Sequence, residues 1–411
     1  MDASDRWQLQ LNSASSQPHI LLGITSAQTS LVLKGRVRAL RESGFRVTIV
    51  SSPGKELDRL VAEECAEAIE IPVARDIRPL RDVVSLVRLW LCLLRVRPDV
   101  VEFGTPKIGL LGMMAAVAAG IHQRVYLLRG LKLETARGFK RTVLHAAEYL
   151  TMACAQTVLC NSRSLRERSL ELRLTKPEKL QMLGDGSSVG VDTARFSPGP
   201  EHVREGLGFA DEDLVIGFVG RLTRDKGVPE LVEAFDRILI AEPRTRLLLI
   251  GWWDAAEDAI GTGLRSRILQ HPRVTCTGFV PEPAPYYRAM DVLVLPSHRE
   301  GFPNAVLEAS ATGLPVVSTL STGARDAVVP EVTGLLIPAG SPKAIEEAVL
   351  RLLKDGALRS RMGAAGRKWV EESYSQERVL ALNVRYYQDL LASSSERCAV
   401  QTSAPNSVSM D

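Results

Sequence analysis

The sequence predicts an α/β protein with two doubly wound, Rossmann-like parallel-sheet domains. Strand-like apolar runs alternate with helical segments in both halves of the chain, a pattern typical of right-handed strand–helix–strand units. The run LVIGFVG (214–220) is continuously apolar, as expected of a strand buried on both faces of a sheet. A segment rich in Gly, Ser, Asp and Pro, 184–200, lies between the two halves and has the composition of a linker.

Composition excludes several other classes of protein. The 411 residues suffice for two or three domains, and 45% apolar with 24% charged residues is the balance of a globular chain. A net charge of +3 is too small to indicate general nucleic-acid binding. The six cysteines are scattered, with no CxxC pair or Cys/His cluster, which argues against a disulfide framework or structural zinc and favours a reducing cytosol. Residues 1–17 are polar, do not resemble a secretory signal and are expected to be disordered.

In the N-terminal half, apolar runs and turn residues predict six strands, three helices with defined bounds, and a charged helix after the last strand. The strands are expected at 19–24, 46–50, 69–73, 99–103, 124–128 and 157–162, and the helices at 31–43, 80–95 and 108–119. Gly44 follows the first helix at the position of a left-handed cap.

The C-terminal half repeats the alternation, which predicts a second parallel sheet. Its strands are expected at 214–220, 246–251, 274–280, 291–297, 315–319 and 334–338, with a helix at 229–240. A further helix is expected at 373–391, and the Ser-rich residues 393–411 lack periodicity and are expected to be disordered.

Positive charge is concentrated in one stretch, which contains 16 Lys or Arg against seven Asp or Glu between residues 75 and 170. This stretch either meets anions such as phosphates or acidic lipid head groups, or is an ordinary solvated surface. Within it, the helix near 80–97 mixes Arg with Leu, Val and Trp90. That helix either lies on a membrane surface or packs conventionally on the sheet.

The first candidate site is the loop in GFVGRLTRDKG (217–227), which follows a buried strand. Arg221 and Lys226 emerge from this loop between glycines and ahead of a helix, a combination suited to binding an anion. The alternative is that both cations pair with surface carboxylates.

The second candidate site is HREGFPNAVLEASATGLPVVST (298–319). Glu300 and Glu308 are separated by a loop leading into a helix that begins at Asn304, so the amides of this loop could face an anion. Glu308, about one turn into the helix, is placed to bind two vicinal hydroxyls, as an acidic residue does for ribose in dinucleotide folds. The alternative is that Glu308 is a helix-face carboxylate and Glu300 a loop charge.

These segments resemble the retaining glycosyltransferases of family 4, which have the GT-B fold and use nucleotide sugars. The resemblance covers about residues 18–392, and its N-terminal half is similar to the branch that builds capsular polysaccharides and exopolysaccharides. The C-terminal motifs that carry it are GRLTRDKG (220–227), GFV (278–280), AMDVLVLPSHREGFPNAVLEASATGLPVVST (289–319) and GLLIPAGSPKAIEEAV (334–349).

The resemblance implies a catalytic role for three residues and a donor-binding role for eight more. The catalytic residues are Arg221 and Lys226, which would hold the diphosphate, and Glu300, which would contact the transferred sugar. The donor-binding residues are Glu308 at the ribose, Gly301, Phe302, Pro303 and Asn304 at the sugar or β-phosphate, Val280 near the base, Gly23 near the phosphates, and Arg129.

The resemblance also implies the chemistry. The expected activity is retaining transfer of a sugar from a donor, UDP-linked or GDP-linked, without a metal and without a cofactor. The expected acceptor is a sugar or oligosaccharide on a polyprenyl diphosphate, used in bacterial surface polysaccharide synthesis. The enzyme is expected in the cytoplasm, peripherally on the inner face of the membrane, with contact to anionic lipid and none to nucleic acid.

One departure from the family concerns the N-terminal loops, where relatives usually carry histidines. This chain has Glu102 and Arg129 in the corresponding segments. Each either replaces a histidine at the sugar or is a structural ion-pair partner. A non-catalytic nucleotide-sugar-binding protein and a nucleotide-sugar epimerase on the same fold are therefore alternative functions.

The resemblance also predicts the domain boundaries. The N-terminal, acceptor-side domain is expected to comprise 18–195 and 375–392, because the last helix crosses back to it. The nucleotide-sugar-binding domain is expected to comprise 196–374, and the two domains are expected to face a cleft.

Overall fold

The computed structural model describes residues 17–74, 78–200, 202–254 and 258–402. It contains the two parallel sheets that the sequence predicts. The first has seven strands in the order β3-β2-β1-β4-β5-β6-β7. Its strands are β1 (His19–Gly23), β2 (Arg46–Ser51), β3 (Glu67–Glu70), β4 (Val100–Phe103), β5 (Gln123–Leu128), β6 (Thr157–Cys160) and β7 (Leu180–Gln181).

The second sheet has six strands in the order β10-β9-β8-β11-β12-β13, and all five neighbouring pairs are parallel. The order reverses between β8 and β11, which are adjacent in the sheet but distant in sequence. Ligands bind at such switch points in doubly wound sheets. The strands are β8 (Leu214–Val219), β9 (Thr245–Ile250), β10 (Val274–Gly278), β11 (Val292–Leu295), β12 (Val316–Thr319) and β13 (Gly334–Ile337).

Helices connect most of these strands. The α-helices are α1 (Arg36–Glu42), α2 (Lys55–Glu64), α3 (Pro79–Val96), α4 (Pro106–Ala118), α5 (Gly138–Cys154), α6 (Arg163–Glu171), α7 (Val203–Gly206), α8 (Val228–Ala241), α9 (Thr262–Gln270), α10 (Ala284–Arg288), α11 (Asn304–Ala311), α12 (Pro342–Lys354), α13 (Gly356–Ser373) and α14 (Gln376–Thr402). Among the described helices, none combines the length and the apolar composition that a bilayer-spanning segment needs.

The described residues form two compact units. One lies within 1–125 and 384–411, and the other within 126–383. The core of the second unit consists mainly of aliphatic side chains from β8, β9, β11 and β12 and the helices packed on them. The domain boundaries that the sequence predicts, at 195 and 375, stay a prediction.

Most predicted elements are present, with two differences near the N-terminus. The predicted helix 31–43 is divided into a 3-10 turn, Ala27–Leu33, and α1. The predicted strand 69–73 is β3, which begins at Glu67 because its residues pair with Thr48–Ser51 of β2. Pro72 has no amide hydrogen with which to extend that ladder.

The segment with linker composition is partly buried and bound to its surroundings. Residues 186–191 are all buried. The Ser187 amide donates to the Asn161 carbonyl over 2.8 Å, and the Val191 amide donates to the Tyr374 carbonyl over 2.9 Å. Small and polar residues therefore mark close backbone packing here.

The last helix is longer than the sequence predicts, because α14 continues to Thr402; the predicted disorder of residues 393–411 stays a prediction. No Gly or Pro interrupts the chain between Gln376 and Thr402, so the helix propagates beyond the predicted end at residue 391. Residues 403–411 and 1–16 lie outside the described residues.

Candidate active site

The basic loop of the first candidate site joins the end of β8 to the start of α8. Gly227, at its end, has φ of 73°, and a Cβ there would lie 2.1 Å from the carbonyl oxygen of Pro296. Glycine therefore allows the loop to approach the chain that follows β11. The loops that follow β8 and β11 therefore lie against each other.

Lys226 and Glu300 form the contact that joins the two candidate sites. The Lys226 Nζ lies 2.5 Å from the Glu300 Oε1, and both side chains are largely buried. The Glu300 amide also donates to the Thr322 carbonyl over 3.0 Å, which fixes the backbone of this loop. The cation and the acidic residue that the motifs single out are therefore direct neighbours.

Arg221 is held by a carboxylate that the sequence analysis did not identify. Its Nη1 lies 2.8 Å from the Oδ2 of Asp254, a side chain only 10% exposed, while Arg221 is 33% exposed. Both predicted phosphate-binding cations therefore pair with carboxylates, but with nearly buried ones and not with the surface carboxylates of the alternative interpretation. Asp254 follows β9, the neighbour of β8 in the sheet. Its position shortly after a predicted strand is the sequence signal that could have identified it.

The loop Gly301–Asn304 is packed tightly before α11 begins at Asn304. A Cβ on Gly301 would lie 2.1 Å from the carbonyl oxygen of Arg129, so only glycine allows this approach. Phe302 is buried against Tyr374, with ring centroids 5.1 Å apart. Pro303 precedes the first helical residue, and no side chain caps this helix end.

Glu308 is on the second turn of α11 and is held by a buried tyrosine. The Tyr287 hydroxyl donates to the Glu308 Oε2 over 2.7 Å. Burial raises the pKa of Glu308 above the usual glutamate value, and the hydrogen bond from Tyr287 opposes that rise. Tyr287 is fully buried, and the sequence analysis missed it because a tyrosine in a short helix is an unspecific signal.

The remaining predicted donor-binding residues lie at or just after the ends of three different strands. Arg129 follows β5 and is half-buried, and its carbonyl faces Gly301. Val280 lies two residues past β10, half-buried against the core of the second unit. Gly23 ends β1 in the first unit, where the ring of Phe103 fills the space beside it. The donor contacts that the resemblance implies for these residues stay predictions.

Glu102 is an ion-pair partner, which decides one of the two alternatives left open for it. Both of its oxygens accept hydrogen bonds from Arg36, over 2.7 and 2.6 Å. The Tyr387 hydroxyl donates to the Glu102 Oε2 over 2.5 Å, and all three side chains are buried. Glu102 therefore does not replace a sugar-binding histidine.

His298, next to the acidic loop, also has a structural contact. Its Nε2 lies 3.0 Å from the Glu230 Oε1, and this hydrogen bond raises the pKa of the imidazole. Among the described residues, no three His, Cys, Asp or Glu side chains form a cluster that could hold a metal ion.

Comparison with known proteins places this arrangement among sugar-transferring enzymes. Residues 201–369 match the family model described as glycosyl transferases group 1, and residues 32–186 match a glycosyl transferase 4-like domain. A capsular polysaccharide biosynthesis glycosyltransferase of Staphylococcus aureus, CapM, is 37% identical over 86% of this chain and 92% of its own length.

Two further similarities extend the comparison. An Escherichia coli protein described as UDP-Gal:alpha-D-GlcNAc-diphosphoundecaprenol alpha-1,3-galactosyltransferase is 26% identical over 72% of this chain and 77% of its own. The crystal structure of Anabaena HepE with UDP and glucose superposes with a TM-score of 0.76 at 18% identity, over 92% of this chain and all of that one. At that identity the likeness shows the fold, which is GT-B.

Proposed function

We propose, since this chain belongs to the group 1 glycosyltransferases, that it is a retaining, metal-independent enzyme of bacterial surface polysaccharide synthesis. Its donor is a nucleotide sugar, UDP-linked, and its acceptor is a sugar or oligosaccharide on a polyprenyl diphosphate. The observation that carries the proposal is the 2.5 Å contact between Lys226 and Glu300, which joins the first candidate site to the second.

The names of the relatives support the pathway and the type of substrate. CapM is named for capsular polysaccharide biosynthesis, and the E. coli relative for a UDP-linked donor and a diphosphoundecaprenol-linked acceptor. The acceptor's lipid favours a protein that works in the cytoplasm, peripherally at the inner face of the membrane.

In the proposed reaction, the bond between the anomeric carbon and the diphosphate oxygen breaks, and negative charge develops on the leaving group. Arg221 and Lys226 stabilise that charge where it develops, which is electrostatic catalysis. Two fixed cations in the loop that follows β8 can supply the positive charge that a magnesium ion supplies in other phosphate chemistry. This is the basis for proposing a metal-independent reaction without a cofactor.

Retention follows if the acceptor hydroxyl attacks the face from which the diphosphate departs. The oxygen of the hydroxyl forms the new bond to the anomeric carbon, and its proton passes to the departing phosphate oxygen. The nucleoside diphosphate then leaves protonated, so the reaction requires no separate general base.

The remaining residues bind the donor in this proposal. Glu308 accepts hydrogen bonds from the two ribose hydroxyls, with Tyr287 holding the carboxyl in place. Glu300 and the backbone amides of the 301–304 loop contact the transferred sugar, and Val280 lies near the base. Arg129, whose backbone carbonyl faces Gly301, is a further cation in the proposed donor site.

The test is a donor panel with a synthetic polyprenyl-diphosphate sugar as acceptor. UDP-, GDP- and ADP-linked sugars are incubated with the full chain, with and without EDTA, and product and nucleotide are measured by chromatography. We expect transfer from a UDP-sugar, unaffected by EDTA, with the anomeric configuration of the donor preserved by NMR. Donor binding without nucleotide release, or epimerised donor, would contradict transfer; loss of activity with EDTA would contradict metal independence; an inverted product would contradict retention.

A further inference from the structure

Helix α3 has an outward-facing apolar surface in addition to the apolar side that it packs on its own unit. Leu80 is 85% exposed, and Val83 and Leu91 are more than half exposed. The large exposed apolar side chains of this surface, here named the α3 apolar face, are Leu80, Val83, Val84, Val87, Trp90, Leu91 and Leu94. Scattered single exposures are ordinary, whereas seven on one 18-residue helix form a patch.

The positions of these residues make the face continuous. At 100° per residue, the seven side chains fall within an arc of about 120° on one side of the helix. The buried residues Ser85, Leu89 and Leu93 fall on the opposite side. The helix is therefore apolar on two sides, and only one of them is covered by its own compact unit.

Positive charge runs along one edge of this face. Arg81, Arg88 and Arg95 repeat every seven residues and are all exposed, so they form a row about 20 to 60° from the nearest apolar residues. The acidic residue of the helix, Asp82, points to the packed side and pairs with Lys107 over 2.7 Å. An exposed apolar strip bordered by a row of guanidinium groups is thus left facing outward.

We propose that the α3 apolar face docks on a bilayer surface rich in anionic phospholipid. The aliphatic side chains and Trp90 enter the boundary between head groups and acyl chains, and the arginine row remains at the level of the lipid phosphates. Charge complementarity decides the occupant, because a row of arginines beside an apolar strip matches a plane of phosphates above hydrocarbon. This inference rests on the peripheral membrane location in the proposed function and names the surface that binds lipid, while vesicle binding tests it without a donor or sugar transfer.

The first experiment measures cosedimentation of the full chain with vesicles of phosphatidylcholine alone or with about 30% phosphatidylglycerol, a range in which surface charge is substantial. The double variant Leu80→Ser with Leu91→Ser should weaken binding to anionic vesicles at least about 10-fold, since two large apolar side chains are lost from the buried strip. Ile240→Ser with Leu269→Ser is the matched control, because these leucine-sized side chains are exposed to similar extents in the second unit.

A second variant tests the charge. Arg81→Gln with Arg88→Gln should weaken binding to anionic vesicles about 30-fold, from about 1 kcal/mol for each basic residue near the surface, and change binding to neutral vesicles little. Arg361→Gln with Arg378→Gln removes two exposed arginines elsewhere and should leave binding unchanged.

A third measurement keeps the inference testable if a double variant folds poorly. Vesicles with brominated acyl chains should quench the tryptophan fluorescence of the wild-type chain, and Trp90→Phe should abolish most of that quenching. Equal binding to neutral and anionic vesicles, equal loss in the control variants, or quenching that survives Trp90→Phe would overturn the proposal. So would a concentration-dependent dimer that dissociates in the Leu80/Leu91 variant, since the face would then bind a second copy of the chain.

Discussion

The Nζ of Lys226 lies 2.5 Å from the Oε1 of Glu300, although the two residues are 74 positions apart in the sequence. They meet because β8 and β11 are neighbours in the second sheet, so the loops that leave their carboxyl ends converge. Glu300 compensates the charge of Lys226 in the largely buried loop. In the proposed function, the donor diphosphate takes over this role, which leaves Glu300 available to the sugar.

Lys226→Ala should lower kcat at least about 100-fold, because one charge contact to the developing anion is lost. The measurement is sugar transfer at saturating donor, with the melting temperature recorded to confirm folding. Lys343→Ala, which removes a 76% exposed lysine, is the matched control and should change neither quantity. Unchanged turnover in the Lys226 variant would contradict the assignment of Lys226 to the diphosphate.

Sequence reasoning could predict this candidate site because its proposed chemistry is local in the chain. The cations lie in one loop, and Glu300 and Glu308 lie eight residues apart, so strand ends and a helix start were enough to place them. The partners Asp254 and Tyr287 were missed because they come from other elements, and nothing in their local sequence indicates which side chain they face. Only the tertiary structure shows that Asp254 pairs with Arg221 and that Tyr287 bonds to Glu308.

The same limit explains why the sequence left two alternatives open for Glu102 in the first sheet. Glu102 follows two valines at the end of a predicted strand and could equally have faced a ligand or the interior. Its partners Arg36 and Tyr387 come from α1 and α14, near opposite ends of the chain. A local sequence pattern cannot predict that these three residues, from distant parts of the chain, are in contact.

Glu308→Ala should raise the donor KM about 10-fold or more, because hydrogen bonds between a charged group and two hydroxyls are lost. Initial rates are measured with the UDP-sugar and with its 2′-deoxyribose analogue. The wild-type enzyme should discriminate against the analogue, and the variant should not. Glu347→Ala, at a 66% exposed position, should retain the wild-type preference, and discrimination that persists in the Glu308 variant would contradict ribose binding.

The Arg36–Glu102 pair predicts a large cost in stability for removing one partner. Glu102→Gln should lower the free energy of unfolding by about 3 to 5 kcal/mol, because Arg36 is fully buried and would keep its charge without a counterion. Denaturant unfolding followed by circular dichroism measures the change. Glu70→Gln, at the exposed end of β3, should cost little, and similar values for the two variants would show that the buried pair is not stabilising.

The buried carboxyl of Glu148 should make the free energy of unfolding depend on pH, independently of donor binding. Its Oε2 accepts a hydrogen bond from the Tyr126 hydroxyl over 3.0 Å, and burial raises the pKa of Glu148 from 4.5 to about 7. Between these pH values the folded chain binds a proton at this site that the unfolded chain has released. The stability associated with this site is therefore present below pH 4.5 and lost as the pH rises through about 7.

Glu148→Gln should remove this loss, because glutamine carries no proton that titrates. The loss amounts to about 3 kcal/mol, at 1.4 kcal/mol for each pH unit between the two values. Unfolding free energies are measured from pH 4.5 to 8 for the wild type, Glu148→Gln and Glu178→Gln, the last at an exposed position. The difference between wild type and Glu148→Gln should change across this range, and that between wild type and Glu178→Gln should stay nearly constant. Parallel curves for wild type and Glu148→Gln would mean that the buried carboxyl ionises at the same pH in the folded and unfolded chains.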